Sequence, residues 1–317
     1  MADLGVQLGP LRLKHPLINA AGTLDLFALA EATDPCVLRE PSVAAYVPKT
    51  VTLAPRVGNP PPRILETPEG MINAIGLPSE GLEVFVAAEL GRLLSLPRPL
   101  ILSIAGFSLA EYVALASGLR QALDQAMGQE WTTRVGLELN ISCPNVHSGC
   151  VSIGSDPKET EEVVGAVREF WPGLLVAKLT PNVADIAAIG RAAERAGADA
   201  VAAVNTFKGL VLDRVSLRPY LGNISGGLSG PAIKPLALRA VYELYEKVSV
   251  PIVGMGGVAT VQDILEFMAC GARVVAVGSA GLRDQSLAGT LALGLGSWLD
   301  ERGSSLAELV GLAHASA

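Results

Sequence analysis

Short apolar runs recur along the chain at intervals wide enough for one helix between them. They are "PLINAAG", "VAAYVPKT", "PLILSIAG", "VGLELNIS", "LLVAKLT", "DAVAAVNT", "PIVGMGG" and "RVVAVGS". Each is continuous rather than alternating and is followed by turn residues, the pattern of a strand buried on both faces. Between most of them lie helical patterns. "VADIAAIGRAAERAGA" (183–198) and "TVQDILEFMACGA" (260–272) carry apolar residues at three- and four-residue spacing, with glycine near the end. Eight such strand–helix units predict an α/β fold of the (β/α)8 TIM barrel type. Ahead of them, "LGVQLGPLRLKH" predicts a small N-terminal hairpin that closes the barrel floor. A barrel of this kind commonly takes about 250 residues, so residues 1–317 are expected to form one domain.

In a barrel the chemistry lies at the C-terminal ends of the strands, so the polar residues there are the informative ones. In chain order they are Gly22 and Thr23, Lys49 and Thr50, Ser103, Asn140 and Cys143, Lys178, Asn205 and Thr206, Gly256 and Gly257, then Gly278 and Ser279. "GMGG" (254–257) and "VGSAG" (277–281) follow strands seven and eight, where barrels commonly seat a phosphate on backbone N–H groups. The alternative is that these glycines only make tight turns. Lys49 and Lys178 each end an apolar strand, where an unpaired ammonium is costly to desolvate. An anionic ligand would remove that cost, as would snorkelling to solvent or a nearby carboxylate. Asn73, Asn140, Asn145 and Asn205 offer neutral donors and acceptors suited to a small heterocycle, although asparagine also forms turns.

Composition narrows the classes. The net charge is -7 and no Lys/Arg cluster has interleaved aromatics, which argues against nucleic acid as a partner. No uncharged apolar stretch is long enough to span a bilayer, and the N-terminus does not read as a signal peptide, so a cytoplasmic location is expected. Cys36, Cys143, Cys150 and Cys270 form neither CxxC pairs nor a disulfide scaffold, and no metal or iron–sulfur site is expected on this chain. His15, His147 and His314 have no partner at metal-ligand spacing. Among the cysteines, Cys143 stands apart: in "ELNISCPN" it ends a strand-like run between two asparagines. An ordinary thiol, with pKa near 8.5, is about 3% thiolate at pH 7, enough to act as a base on an acidified substrate proton.

Taken together, "PKTVT", "GNPPPRILETPEGMINAIGLP", "ELNISCPNV", "KLTPNVADI", "VNT", "GGLSGPAIKP", "GMGGV" and "AVGSA" resemble the dihydroorotate dehydrogenase family along nearly the whole chain. "NVHSGCVSIGSDP" and "KLTPNVADI" are most similar to its class 1B form, which works with an NAD-linked partner. The resemblance implies FMN at the barrel mouth, with its phosphate on Gly256, Gly257, Gly278 and Ser279 and with Gly230 nearby. Ala21, Lys49, Thr50, Ser103, Asn140, Lys178 and Val204 would surround the rest of the cofactor. Dihydroorotate would be held by Lys49, the segment Asn73, Ala74, Ile75, Gly76 and Leu77, and by Asn140, Asn205 and Thr206. Cys143 would remove a proton from substrate C5 while hydride passes from C6 to the flavin, on a loop, "CPNVHSGCVSIGS", able to close over the substrate. Lys178 would stabilise the reduced cofactor.

By the same resemblance the chain forms a homodimer with a separate electron-transfer subunit that carries FAD and a 2Fe–2S cluster. Alternatives are an FMN barrel acting on another dihydropyrimidine, one using a different acceptor such as fumarate, or a non-catalytic flavin-binding subunit. Three departures from the family pattern stand out. Ala21 replaces a common serine, Ser103 replaces a common asparagine, and "TLDLFALAEA" replaces a glycine-richer segment after strand one.

Overall fold

The computed structural model describes residues 2–142 and 153–315. Val6–Leu8 (β1) and Leu11–Leu13 (β2) pair antiparallel, and Leu17–Asn19 (β3) opens the barrel. Ile64–Thr67 (β4) and Gly70–Asn73 (β5) form a hairpin. Leu100–Ile104 (β6), Val135–Asn140 (β7), Leu175–Lys178 (β8) and Ala200–Ala203 (β9) pair in parallel succession. Phe207–Leu210 (β10) and Ser225–Ser229 (β11) pair antiparallel, and Ile252–Met255 (β12) and Ala272–Val277 (β13) complete the set. The principal helices are Leu26–Ala32 (α1), Leu109–Met127 (α2), Pro157–Phe170 (α3), Ile186–Arg195 (α4), Lys234–Tyr245 (α5), Val261–Ala269 (α6), Ser279–Arg283 (α7) and Leu287–Arg302 (α8). The helices predicted over 183–198 and 260–272 are α4 and α6, shortened by their caps. Asp185 accepts from the Ala188 amide at one start, and Thr260 and Asp263 form a capping box at the other.

Seven parallel strands run in the order β3-β13-β12-β9-β8-β7-β6, the curved sheet of a TIM-like α/β barrel. The eighth predicted strand, "VAAYVPKT", is not a continuous ladder. Residues 43–51 instead fill the gap through isolated bridges and scattered backbone hydrogen bonds. The Ala44 amide donates to the Leu17 carbonyl, Ile101 N to the Tyr46 carbonyl and Val51 N to the Ser103 carbonyl. Asn19 supplies the missing links with its side chain, accepting from Val47 N at 2.9 Å and donating to Val47 O at 2.7 Å. Pro48 lacks an N–H, which helps explain why a regular ladder does not form here.

Period-two alternation divides the strands into two cores. Leu102, Ile104, Leu137, Leu139, Leu175 and Val201 face outward and pack under the helices. Ile18, Val47, Ile101, Val176, Ala202, Val253, Val274 and Ala276 face inward. Leu8, Leu11 and Leu13 of the N-terminal hairpin join this inner cluster, so the hairpin closes the floor as the sequence predicts. Continuing the inward rows upward by two residues reaches Lys49, Ser103, Lys178, Val204 and Gly278. The barrel alternation therefore turns these five positions toward the same end of the interior.

A four-stranded antiparallel sheet, β10-β11-β5-β4, stands beside that mouth and was not foreseen. Its strands "FKGL" and "SGGLS" are too short, too exposed and too glycine-rich to read as strands from pattern alone. Gly227 is required there: a Cβ would collide with the Thr206 side chain.

At the floor, His15 accepts from the Leu17 amide through Nδ1. Burial, reinforced by the Lys14 and Arg98 charges, lowers its pKa to about 4. A depressed imidazole stabilises the fold fully above its unfolded pKa, near 6.5, and that contribution is lost as pH falls towards 4. The loss amounts to about 3 kcal/mol. We expect His15→Asn, which keeps an acceptor for Leu17, to flatten the dependence of unfolding free energy on pH between 7 and 4, measured by denaturant titration.

Candidate active site

The strand ends enclose a cavity of about 250 Å³ lined on one wall by Lys178, Asn140, Asn205 and Thr206 and on another by Gly230, Gly256, Gly257, Gly278 and Ser279. Ala21, Lys49, Thr50 and Val204 complete the barrel side, and Asn73, Ile75, Gly76 and Leu77 close it from the antiparallel sheet. A wider groove of about 930 Å³ continues from it past Gly22, Thr23, Lys49 and Leu282. Two predicted residues do not line the cavity. Ala74 is fully buried beside Ile72 and Leu221, and Ser103 lies one layer deeper, against Thr50 and Glu138. Cys143, Asn145, His147 and Cys150 lie outside the described residues.

The two lysines occupy different surroundings. Lys178 is 5% exposed and sits beside Asn140 across the β7–β8 ladder, with Nζ 3.6 Å from Glu138 Oε1. Lys49 is exposed, so the desolvation argument made from the sequence applies to Lys178 and not to Lys49. Its chain passes over Gly22, where a Cβ would come within 2.8 Å of Lys49 Cδ. The absence of a side chain at Gly22 thus lets this ammonium lean across the mouth.

Asparagine orientation is set by Ser142, which is not among the residues expected at the site. Ser142, fully buried, donates to Asn140 Oδ1 at 3.1 Å and accepts from Asn205 Nδ2 at 2.9 Å. Asn205 Oδ1 accepts from the Thr206 amide, and the Tyr112 hydroxyl donates to the Asn140 carbonyl. With Asn140 Oδ1 committed to Ser142, its Nδ2 is the group offered to a ligand. A signal existed in the sequence: serine followed Asn140 by two residues, on the same face of the chain.

On the opposite wall, Gly256 and Gly257 have φ of +130° and +81°. A Cβ on Gly257 would lie 2.8 Å from Lys234 Cβ and 2.9 Å from the Gly230 carbonyl, whereas at Gly278 it would meet nothing within 4 Å. Bare backbone is thus presented to the cavity, the arrangement that receives a phosphate. The turn is braced from behind by Asp263, which accepts from Ala259 N at 2.9 Å, Thr260 N at 2.8 Å and Lys234 Nζ at 2.6 Å. Burial pushes the Asp263 carboxyl up, but Lys234 and these donors outweigh it and hold it below the usual range. The bonds to Asp263 and Glu266 push Lys234 the other way. The pair therefore stays charged at neutral pH.

A cavity with a phosphate-accepting turn, a buried cation and oriented amides suits a nucleotide-like cofactor beside a polar substrate. Comparison with known proteins decides the family. The family model described as dihydroorotate dehydrogenase matches residues 3–298. The chain belongs to the dihydroorotate dehydrogenase family. A family member from Desulforudis audaxviator is 46% identical over 310 residues, covering 98% of this chain and 97% of its own length. One from Geotalea daltonii is 42% identical over 310 residues, with 98% and 97% covered, and one from Carboxydothermus hydrogenoformans is 42% identical over 313 residues, with 98% of both covered. All three are called dihydroorotate dehydrogenase B (NAD(+)), catalytic subunit.

Proposed function

We propose that this chain oxidises dihydroorotate to orotate in pyrimidine biosynthesis, as the FMN-bearing catalytic subunit of an NAD-linked enzyme. The observation that carries the site assignment is the facing of two walls in one cavity: a glycine cradle for a phosphate and the Lys178–Asn140 pair for a heterocycle. The residues fit FMN. Gly256, Gly257, Gly278 and Ser279 would hold its phosphate with Gly230 behind them, and Ala21, Thr50, Asn140, Lys178 and Val204 would surround its ring. When bound, FMN supplies the two-electron acceptor for the hydride that leaves the substrate.

The chain's own groups do the rest. Lys49, leaning across the mouth, pairs with the substrate carboxylate, while Asn73, Asn140 and Asn205 orient the ring with Ile75, Gly76, Leu77 and Thr206 around it. Cys143 takes the proton from C5. That carbon is adjacent to a ring carbonyl, which makes its proton acidic enough for a thiolate. The Lys178 charge favours the electron-rich state of the ring. Ser103 acts from the layer below through Thr50, and Ala74 supports the Asn73–Leu77 segment by packing with Ile72 and Leu221.

Among the described residues no helix is long and apolar enough to cross a membrane, and no group of three or more His, Cys, Asp or Glu side chains is placed to hold a metal. We assign transfer to NAD to a partner subunit carrying FAD and a 2Fe–2S cluster, docked on a homodimer of this chain in the cytoplasm. The test is spectroscopic. Purified protein should carry FMN, whose visible absorbance should bleach on adding dihydroorotate without oxygen. Retained flavin that ignores dihydroorotate would sink the substrate assignment.

Gly257→Ala probes the cradle. Its φ of +81° and the close Lys234 and Gly230 atoms predict a strained turn, with a destabilisation of about 1–3 kcal/mol. We expect the FMN-to-protein absorbance ratio to fall more than thermal stability does. Full FMN content would show that the phosphate sits elsewhere.

A further inference from the structure

Beneath Lys178 lies a buried polar chain that does not itself touch the cavity except at its two ends. Glu138 Oε1 is 3.6 Å from Lys178 Nζ and accepts from Ser103 Oγ at 2.9 Å, and Ser103 Oγ is 2.9 Å from Thr50 Oγ1. Lys178 and Glu138 side chains are 7% and 6% exposed. Both ends, Lys178 and Thr50, line the cavity; Glu138 and Ser103 do not. Strand register builds this arrangement. Ser103 and Glu138 are paired across β6 and β7, and Glu138 is level with Val176, two residues below Lys178 on β8. Ser103, Glu138 and Lys178 therefore face inward, and Thr50 meets them from the irregular segment before Val51.

An ionised carboxylate only accepts hydrogen bonds. Ser103 must then give its single proton to Glu138, and Thr50 must give its own to Ser103. The Thr50 oxygen is left with lone pairs only for whatever occupies the cavity. Glu138 thus acts at both ends: it fixes the polarity of the hydroxyl chain, and its charge opposes that of Lys178. Buried ions of this kind hold one another in place, since neither has water to replace its partner.

Resting on the FMN assignment above, we propose that Glu138 is a positioning residue whose buried charge offsets Lys178 and thereby lowers the reduction potential of the bound flavin. The oxidised flavin ring is neutral and gains negative charge on reduction. With Glu138 present, Lys178 has a counter-charge in both states and its pull on the reduced ring is divided. Without it, no described carboxylate remains paired with the lysine, the reduced ring takes that place, and reduction is favoured.

Sulfite reads this charge without turnover. It adds its lone pair to the flavin N5, forming an N–S bond, and the displaced electron pair becomes negative charge on the pyrimidine edge of the ring. We expect Glu138→Gln, isosteric but neutral, to tighten sulfite binding about tenfold and to raise the two-electron midpoint potential by about 30 mV, the equivalent of tenfold. Glu138→Asp keeps the charge on a shorter arm and should shift both values in the same direction but less. A flavin-loaded Gln variant with unchanged or weaker sulfite binding and an unchanged or lower potential would overturn the proposal. If the Gln variant does not retain flavin, the Asp variant decides by the same signs. Protein purified without FMN would overturn this proposal and the functional reading together. Flavin that fails to bleach with dihydroorotate would sink the substrate assignment alone, while the sulfite comparison would still decide the role of Glu138.

Discussion

Cys143→Ser is expected to retain FMN and lose turnover at pH 7 by about 10²- to 10⁴-fold, the usual contribution of a positioned general base. A hydroxyl is a far weaker acid than a thiol, so the variant has almost no anionic form with which to accept the C5 proton at neutral pH. Its activity should therefore rise with pH beyond the range in which the parent levels off. The check is stopped-flow reduction of the flavin by dihydroorotate from pH 6 to 10, which isolates the step in which the proton and hydride leave. A serine variant that reduces its flavin at the parental rate at pH 7 would remove Cys143 from the mechanism. Unchanged orotate affinity in the same variant would show that the lost function is proton transfer and not binding.

The barrel was legible because seven of its strands are buried on both faces, and such strands cannot hide among polar residues. The rim was legible for the same reason: a Lys178 or Asn140 at the end of an apolar run has no structural need to be there. Other features depend on contacts between distant segments. Glu138 sat inside "VGLELNIS", where one charge in an apolar run signalled something, but its partners Ser103 and Lys178 come from neighbouring strands and only register brings them together. Ser142 gained its role from Asn205, which follows β9. The antiparallel sheet is held by backbone pairing between segments far apart in the chain, with "GMIN" against "SGGLS", and neither segment has the alternation that would announce it. Lys49 differs from its sequence expectation in one respect. The apolar run before it suggested burial, yet Lys49 is exposed although Pro48 and Thr50 on either side of it are buried.

That difference between the lysines gives the last expectation. Lys178→Ala should slow flavin reduction by about 10²- to 10³-fold, the effect of deleting one preorganised group facing developing charge, while orotate affinity falls little. Lys49→Ala should do the reverse. A charge-assisted hydrogen bond contributes about 1.5–3 kcal/mol, so losing the one to the substrate carboxylate should weaken orotate binding by about 10- to 150-fold. Orotate titrations of both variants, followed by the flavin spectrum, decide the matter, and an equal loss in each would mean that their roles are not separate. The Lys178 variant needs one control, because it leaves Glu138 as a buried charge without its counterion. Breaking one side of such a pair costs about 3–5 kcal/mol, and a damaged fold could slow reduction by itself. Adding Glu138→Gln removes the stranded charge and should restore thermal stability. If reduction stays slow in the double variant, the missing charge beside the flavin is the cause; if the rate recovers with stability, Lys178 served the fold and not the chemistry.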